Sequence, residues 1–176
     1  HSVTLEAFPA SGYRFAGFAG PCAGSGATCT VGVLDRDRAV GARFIARRDL
    51  AVTVMGGSVS ATGLACAGGR CTGTYDHGTQ VRLTAAPAQA GTFAYVWGGD
   101  CAGAVGAECQ LDMTADRSAS VEIVRQLLTV DLTVTGPPLA GIRVQSSPAG
   151  IDCRTVSSGP CRADFDLSTA VRLDAS

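Results

Sequence analysis

The chain is short of four things, and each shortage removes a class of function. No window holds the 18 or more consecutive apolar residues that a membrane-spanning helix requires, and no cationic start leads into an apolar stretch and a cleavage site. Neither sign of charge dominates. Fourteen Lys and Arg stand against fifteen Asp and Glu, and the densest charged stretch is the mixed run Asp35-Arg36-Asp37-Arg38. The expectation is no nucleic-acid partner and no membrane insertion. Only two histidines occur, His1 and His77, and no Walker-type or dinucleotide fingerprint is present. One Trp, three Tyr and six Phe leave little large apolar side chain with which to fill a core.

What is present is repetition. Val3-Thr-Leu-Glu-Ala-Phe-Pro-Ala, then Gly12-Tyr-Arg-Phe-Ala-Gly-Phe-Ala-Gly-Pro-Cys22-Ala-Gly and Cys29, returns as Val81-Arg-Leu-Thr-Ala-Ala-Pro-Ala, Gly91-Thr-Phe-Ala-Tyr-Val-Trp-Gly-Gly-Asp-Cys101-Ala-Gly and Cys109. A second echo sets Cys71-Thr-Gly-Thr-Tyr-Asp-His-Gly-Thr-Gln-Val-Arg-Leu against Cys161-Arg-Ala-Asp-Phe-Asp-Leu-Ser-Thr-Ala-Val-Arg-Leu without a gap. A period of about 80 residues marks tandem small modules rather than one large core.

The eight cysteines fall into four close pairs, Cys22 with Cys29, Cys66 with Cys71, Cys101 with Cys109, and Cys153 with Cys161. Eight cysteines allow 105 connectivities. Pairs one and three are equivalent by the repeat, as are pairs two and four, so local pairing is the simplest scheme that serves both copies. Zinc is the rival reading, but structural zinc sites favour ligands two to four residues apart and often include His. Three of these pairs are spaced more widely. A disulfide set implies an oxidising location outside the cytoplasm.

Alternation of apolar and polar residues predicts strands at Val3–Ala7, Cys29–Leu34, Val40–Phe44, Leu50–Val54, Val81–Ala85, Val121–Val124 and Leu128–Val134. The stretch from Thr114 to Gln126 alternates better than it repeats at 3.6, which predicts a strand there too. The fold expected is all-β, with small disulfide-pinned modules in a rod-like array. Junctions at Arg47-Arg48-Asp49 and Arg125-Gln126 divide the chain into residues 1–48, the C-terminal part of a first repeat; 49–126, a complete second repeat; and 127–176, the N-terminal part of a third. Linkers this short imply touching modules. Both chain ends fall at the Val-x-Leu strand of the period. Either the array continues on both sides, or one chain's end supplies the strand that the next chain lacks.

The order Val-x-Leu-x-Ala-x-Pro, Gly-x-x-Phe, Trp-Gly before Asp-Cys, then Cys-x-Leu, Asp-Arg and a closing alternating strand resembles the divergent internalin B-type repeat of bacterial secreted and surface proteins. Leu83, Pro87, Phe93, Trp97, Gly98, Cys101, Cys109, Asp116, Arg117 and Val121 carry the resemblance in the complete unit; Leu5, Pro9, Phe15, Phe18, Cys22, Cys29 and Arg38 carry it in the first. Relative to the second unit, Gly136-Pro-Pro-Leu-Ala-Gly looks inserted. The resemblance implies a strand-dominated extracellular module, with β-grasp as the alternative architecture, serving as stalk, spacer or adhesive segment on the bacterial surface or in a secreted protein.

No catalytic constellation emerges. His77 in Tyr75-Asp76-His77-Gly78 occupies a turn and is matched by Leu167. The acids Glu6, Asp76, Asp100, Glu108, Asp112, Asp116 and Glu122 are scattered over turns and strand faces, where glycoside hydrolysis would need two facing one cleft. A Ca²⁺ site at Asp100, Glu108, Asp112 and Asp116 does not recur in the first copy. The expectation is a non-enzyme with no cofactor and no metal. Phe93, Tyr95 and Trp97 share one face of a strand. Inward they are core; outward they form a ligand platform, a reading that an ungapped match to Arg14, Ala16 and Phe18 in copy one sets apart. The expected partners are neighbouring repeats of the same chain, with a glycan or extracellular protein for the alternative of an accessory module on a secreted enzyme. A self-assembling fibre subunit, associating head to tail, is a further alternative.

Overall fold

The computed structural model of the chain describes residues 2–32, 37–133, 142–154, 161–167 and 169–176. Sixteen strands and a single 3₁₀ turn, Gly20–Cys22, account for its regular structure, so the chain is all-β among the described residues. Asp35, Arg36 and the Gly136–Gly141 stretch lie outside the described residues.

The complete repeat shows how period-two patterning builds the layers. In Gln80–Pro87 the residues Val81, Leu83 and Ala85 are buried while their neighbours face water; Arg117–Arg125 does the same with Ala119, Val121 and Ile123. Each strand therefore has one apolar face, and two sheets bury those faces against each other.

The first four strands are β1 (Val3–Glu6), β2 (Tyr13–Ala19), β3 (Thr28–Val31) and β4 (Gly41–Met55). The second repeat adds β5 (Gly57–Ser60), β6 (Ala65–Ala67), β7 (Arg70–Asp76), β8 (Gln80–Pro87), β9 (Phe93–Gly99), β10 (Glu108–Asp112) and β11 (Arg117–Arg125). Residues 127–176 contribute β12 (Leu127–Asp131), β13 (Arg143–Ser147), β14 (Asp152–Arg154), β15 (Arg162–Asp166) and β16 (Arg172–Ala175).

In the complete repeat the larger sheet runs β6-β7-β4-β11-β9 and the smaller β10-β8-β5. All neighbours are antiparallel except β4 and β11, where the first and last strands of the repeat lie parallel from Leu50↔Arg117 to Met55↔Glu122. One buried cluster spans both sheets, with Leu50, Val52 and Val54 of β4, Val59 of β5, Leu83 of β8, Trp97 of β9, Leu111 of β10 and Val121 of β11. The chain changes sheets abruptly between β4 and β5. Gly56 has φ +82°, and a Cβ there would meet the Ile123 carbonyl oxygen at 2.2 Å, so only glycine fits this corner.

Smaller clusters fill the partial repeats. Cys22, Cys29 and Val31 form one with Leu5, Phe18 and Val40; Ile151, Cys153 and Phe165 form the other.

The Arg47-Arg48-Asp49 junction lies inside a strand. β4 pairs with β2 over Gly41–Ala46 as the closing strand of the first repeat, then with β7 over Arg47–Thr53 as the opening strand of the second. Fifteen residues at about 3.3 Å each make one strand of about 50 Å. At the other junction β11 ends at Arg125 and β12 starts at Leu127. Measured from the pairs Phe18↔Ala42 and Trp97↔Val121 to Leu50↔Gly73 and Val130↔Ala163, the second path is one residue longer. One extra residue would turn every following side chain to the wrong face. The break at Gln126 absorbs it.

Candidate functional site

All four cysteine pairs are joined locally: Cys22–Cys29, Cys66–Cys71, Cys101–Cys109 and Cys153–Cys161. No free cysteine occurs among the described residues. Cys101 follows β9 in the larger sheet and Cys109 lies in β10 of the smaller, so this bridge fastens the two layers at their edges.

The aromatic row faces inward, and the ligand-platform reading of Phe93, Tyr95 and Trp97 is corrected accordingly. Trp97 is 6% exposed, and Phe93 and Tyr95 pack half-buried against the same core. The indole Nε1–H donates to the Gly106 carbonyl at 2.9 Å, which ties the ring to the Cys101–Cys109 loop.

The apparent contrast with the first repeat also disappears. β2 carries a bulge between Phe15 and Gly17, so that Phe18 faces Ala42, Phe15 faces Phe44 and Tyr13 faces Ala46. These pairs repeat Trp97↔Val121, Tyr95↔Ile123 and Phe93↔Arg125. The counterpart of the row is therefore Tyr13, Phe15 and Phe18, with Phe15 edge-on to Phe18 at 4.7 Å and to Phe44 at 5.6 Å. An ungapped alignment put Arg14 and Ala16 in those places. The bulge turns Arg14 to the opposite face.

The acidic residues are engaged one at a time. Asp100 accepts the Ser118 N–H at 2.8 Å and Arg117 Nη1 at 2.9 Å. Asp116 accepts the Asp49 N–H at 3.1 Å, and Glu108 pairs with Arg82. Among the described residues no group of three or more His, Cys, Asp or Glu is placed to hold a metal ion. His77 lies in the turn after β7, where its backbone N–H donates to the Ala46 carbonyl at 2.8 Å.

The two junctions are built alike. Asp76 at the end of β7 receives Arg14 of the preceding repeat through Nε at 2.6 Å and through Nη2. Asp166, the matching residue at the end of β15, receives Arg125 of its preceding repeat at 2.8 and 2.9 Å. The next residue repeats the pattern in the backbone: His77 N–H reaches Ala46, and Leu167 N–H reaches Gln126 at 3.1 Å. Thr92 Oγ1 adds a bond to the Leu167 carbonyl at 3.1 Å. The arginines come from different strands, β2 in one case and β11 in the other. The acid is the fixed partner, and sequence reasoning missed it because Arg14 and Asp76 stand 62 residues apart.

These exposed pairs lend the fold a modest sensitivity to acid. Hydrogen bonds from Arg14 and Arg125 lower the pKa of Asp76 and Asp166; the Ser118 N–H, then Arg117, lowers Asp100; Arg143 lowers Asp152. A carboxylate whose pKa falls on folding adds stability above its unfolded value, and that contribution is lost as pH drops through the folded value. Thermal midpoints should stay level from about pH 7 to 5 and decline below about pH 4, where unfolded carboxyls take up protons. Scanning calorimetry against pH checks this, and a midpoint unchanged down to pH 2.5 would contradict it.

The family described as the divergent InlB B-repeat domain matches residues 1–48 and 50–122. Among curated proteins nothing matches. No solved structure matches. The two matched segments meet within β4, where the closing strand of one repeat becomes the opening strand of the next, and together they cover most of the chain. The chain belongs to the divergent InlB B-repeat family.

Proposed function

We propose that this chain is a non-catalytic extracellular segment that serves as a stalk or spacer in a bacterial surface or secreted protein, holding other parts at a distance or offering contact area along its length. The observation that carries the reading is β4, a strand shared by two repeats with no linker between them. A spacer must resist bending where its units join. A shared strand does this covalently, while the Arg–Asp pair and the His77 bond hold the flank. Exposed ion pairs add little to stability; their role here is to set an angle. Four disulfides fit an oxidising location. With Phe93, Tyr95 and Trp97 turned to the core, they carry no argument for a glycan site.

Small-angle scattering tests the reading. A compact chain of 176 residues has a radius of gyration of about 16 Å. The stalk predicts a clearly larger value and a pair-distance distribution with a long tail. Asp76→Asn with Asp166→Asn should broaden that distribution without moving the thermal midpoint by more than about 2 °C, as expected for exposed pairs. A wild-type radius at the compact value would rule the stalk out.

A further inference from the structure

The four bridges differ in what can reach them. Cys22 and Cys29 are 0% and 5% exposed, Cys101 and Cys109 2% and 5%. Cys153 is buried and Cys161 half-buried. The remaining pair alone sets an exposed cysteine, Cys66, against a buried one, Cys71, which belongs to the core of the complete repeat.

It is also the one pair, among the described residues, whose members face each other in a strand ladder. Cys66↔Cys71 lies in the antiparallel β6–β7 pair, between Ala65↔Thr72 and Ala67↔Arg70. Gly68 and Gly69 make the turn with φ of +56° and +77°, the backbone that a two-residue type I′ hairpin demands. The Gly69 carbonyl accepts the Val54 N–H at 2.8 Å, and β7 pairs with β4 from Arg47↔Asp76 to Thr53↔Arg70. The hairpin is therefore shaped by its turn and moored by the sheet, and the two cysteines stay opposite each other whether or not they are bonded. A bridge across a loop that the turn already closes restrains little further chain.

The surroundings suit attack from outside. β6 is the three-residue edge strand of the larger sheet, exposed along its whole length. A cleft of about 130 Å³ beside it is lined by Gly57, Ser58, Val59 and the hairpin, with no charged side chain to repel a thiolate.

We infer that Cys66–Cys71 is a thiol-exchange site, opened at Cys66 by a small thiol while the other three bridges stay closed. The thiolate attacks Cys66 Sγ and bonds to it. The Cys66–Cys71 bond breaks, and its electron pair leaves on Cys71 Sγ, which takes a proton from water. With a dithiol, the second thiolate then displaces Cys66 Sγ from the mixed disulfide. The dithiol is thereby oxidised by two electrons, and the bridge is reduced to two thiols. Both thiols fit the fold where they stand. A buried thiol packs as a small apolar side chain, which places Cys71 at home in its cluster. The Cys66 thiol can donate to the Val59 carbonyl, 3.3 Å from Sγ. Exposed bridges exchange readily, whereas buried structural ones resist reduction. The inference concerns the complete repeat alone and stands apart from the stalk reading.

Timed reduction of the native chain tests it. The chain is held in dithiothreitol without denaturant, quenched in acid, unfolded and alkylated, and its peptides are read by mass spectrometry. Cys66 and Cys71 should become alkylated together, at least about ten times faster than any other pair. When only this pair has opened, far-UV circular dichroism should match that of the untreated chain. With the monothiol 2-mercaptoethanol the adduct should sit on Cys66 and not on Cys71. Four pairs opening at one rate would mean that reduction follows global unfolding, and would overturn the site. So would faster opening of another pair, an adduct on Cys71, or loss of the sheet signal once Cys66–Cys71 opens. Cys66→Ala/Cys71→Ala is the control: it should fold, and its three bridges should open at their slow wild-type rates. Fast opening of those three would make Cys66–Cys71 a guard of the fold and end the exchange reading.

Discussion

Trp97→Ala should destabilise the second repeat by about 3–5 kcal/mol, the range for truncating a large buried aromatic. Domains commonly hold about 5–15 kcal/mol in all. The loss would therefore bring this repeat close to unfolding at 37 °C. Three features set the size. The ring is 6% exposed within the cluster that joins both sheets, it faces Val121 across the β9–β11 pair, and its N–H holds the Gly106 carbonyl. Trp97→Phe restores what the first repeat has at Phe18; it should cost far less, chiefly the hydrogen bond, at about 1 kcal/mol. Since Trp97 is the only tryptophan, urea unfolding is followed by far-UV circular dichroism. The ligand-platform alternative makes the opposite forecast, in which Trp97→Ala leaves the unfolding midpoint unmoved and abolishes binding to a glycan array.

How far the sequence could be read depended on whether a feature was local. The cysteine pairs were legible because their members lie five to eight residues apart and the pairs recur in the same order in both copies. β8 and β11 were legible because their buried residues alternate without interruption. The inward direction of Trp97 was open, since period two assigns residues to a face without saying which face is covered.

What failed to show were the places where one residue changes parity. The bulge at Phe15/Gly17 leaves the composition of β2 unchanged, yet it exchanges Arg14 and Ala16 for Tyr13 and Phe15 on the inner face. The polar run Arg47-Arg48-Asp49 reads as a linker by composition. In the fold, Arg47 and Asp49 point to water from a strand whose backbone bonds continue on both sides. The Arg14–Asp76 pair follows from both misreadings, because it requires the bulge to turn Arg14 outward and the continuous strand to bring Asp76 beside it.

The Cys101–Cys109 bridge should prove energetically linked to Trp97. Replacing both cysteines with alanine reopens a loop of fewer than ten residues, worth about 2.5 kcal/mol by chain-closure entropy. Cys101 and Cys109 are 2% and 5% exposed, so loss of their sulfur contacts adds to that figure. The bridge and the indole restrain the same segment, the one covalently across the sheets and the other through Gly106. Once either is gone the loop is already free, and the second removal has less order left to destroy. Contacting groups of this kind couple by about 0.5–3 kcal/mol. In a double-mutant cycle, Trp97→Ala with Cys101→Ala/Cys109→Ala should therefore lose at least about 0.5 kcal/mol less than the sum of the separate losses. Cys22 and Cys29 belong to a separate cluster in the first repeat, so Cys22→Ala/Cys29→Ala should add to Trp97→Ala within about 0.5 kcal/mol. Additivity in the first cycle would mean that the indole and the bridge act on different parts of the loop; strong coupling in the second would mean that the two repeats unfold as one unit through the shared strand β4.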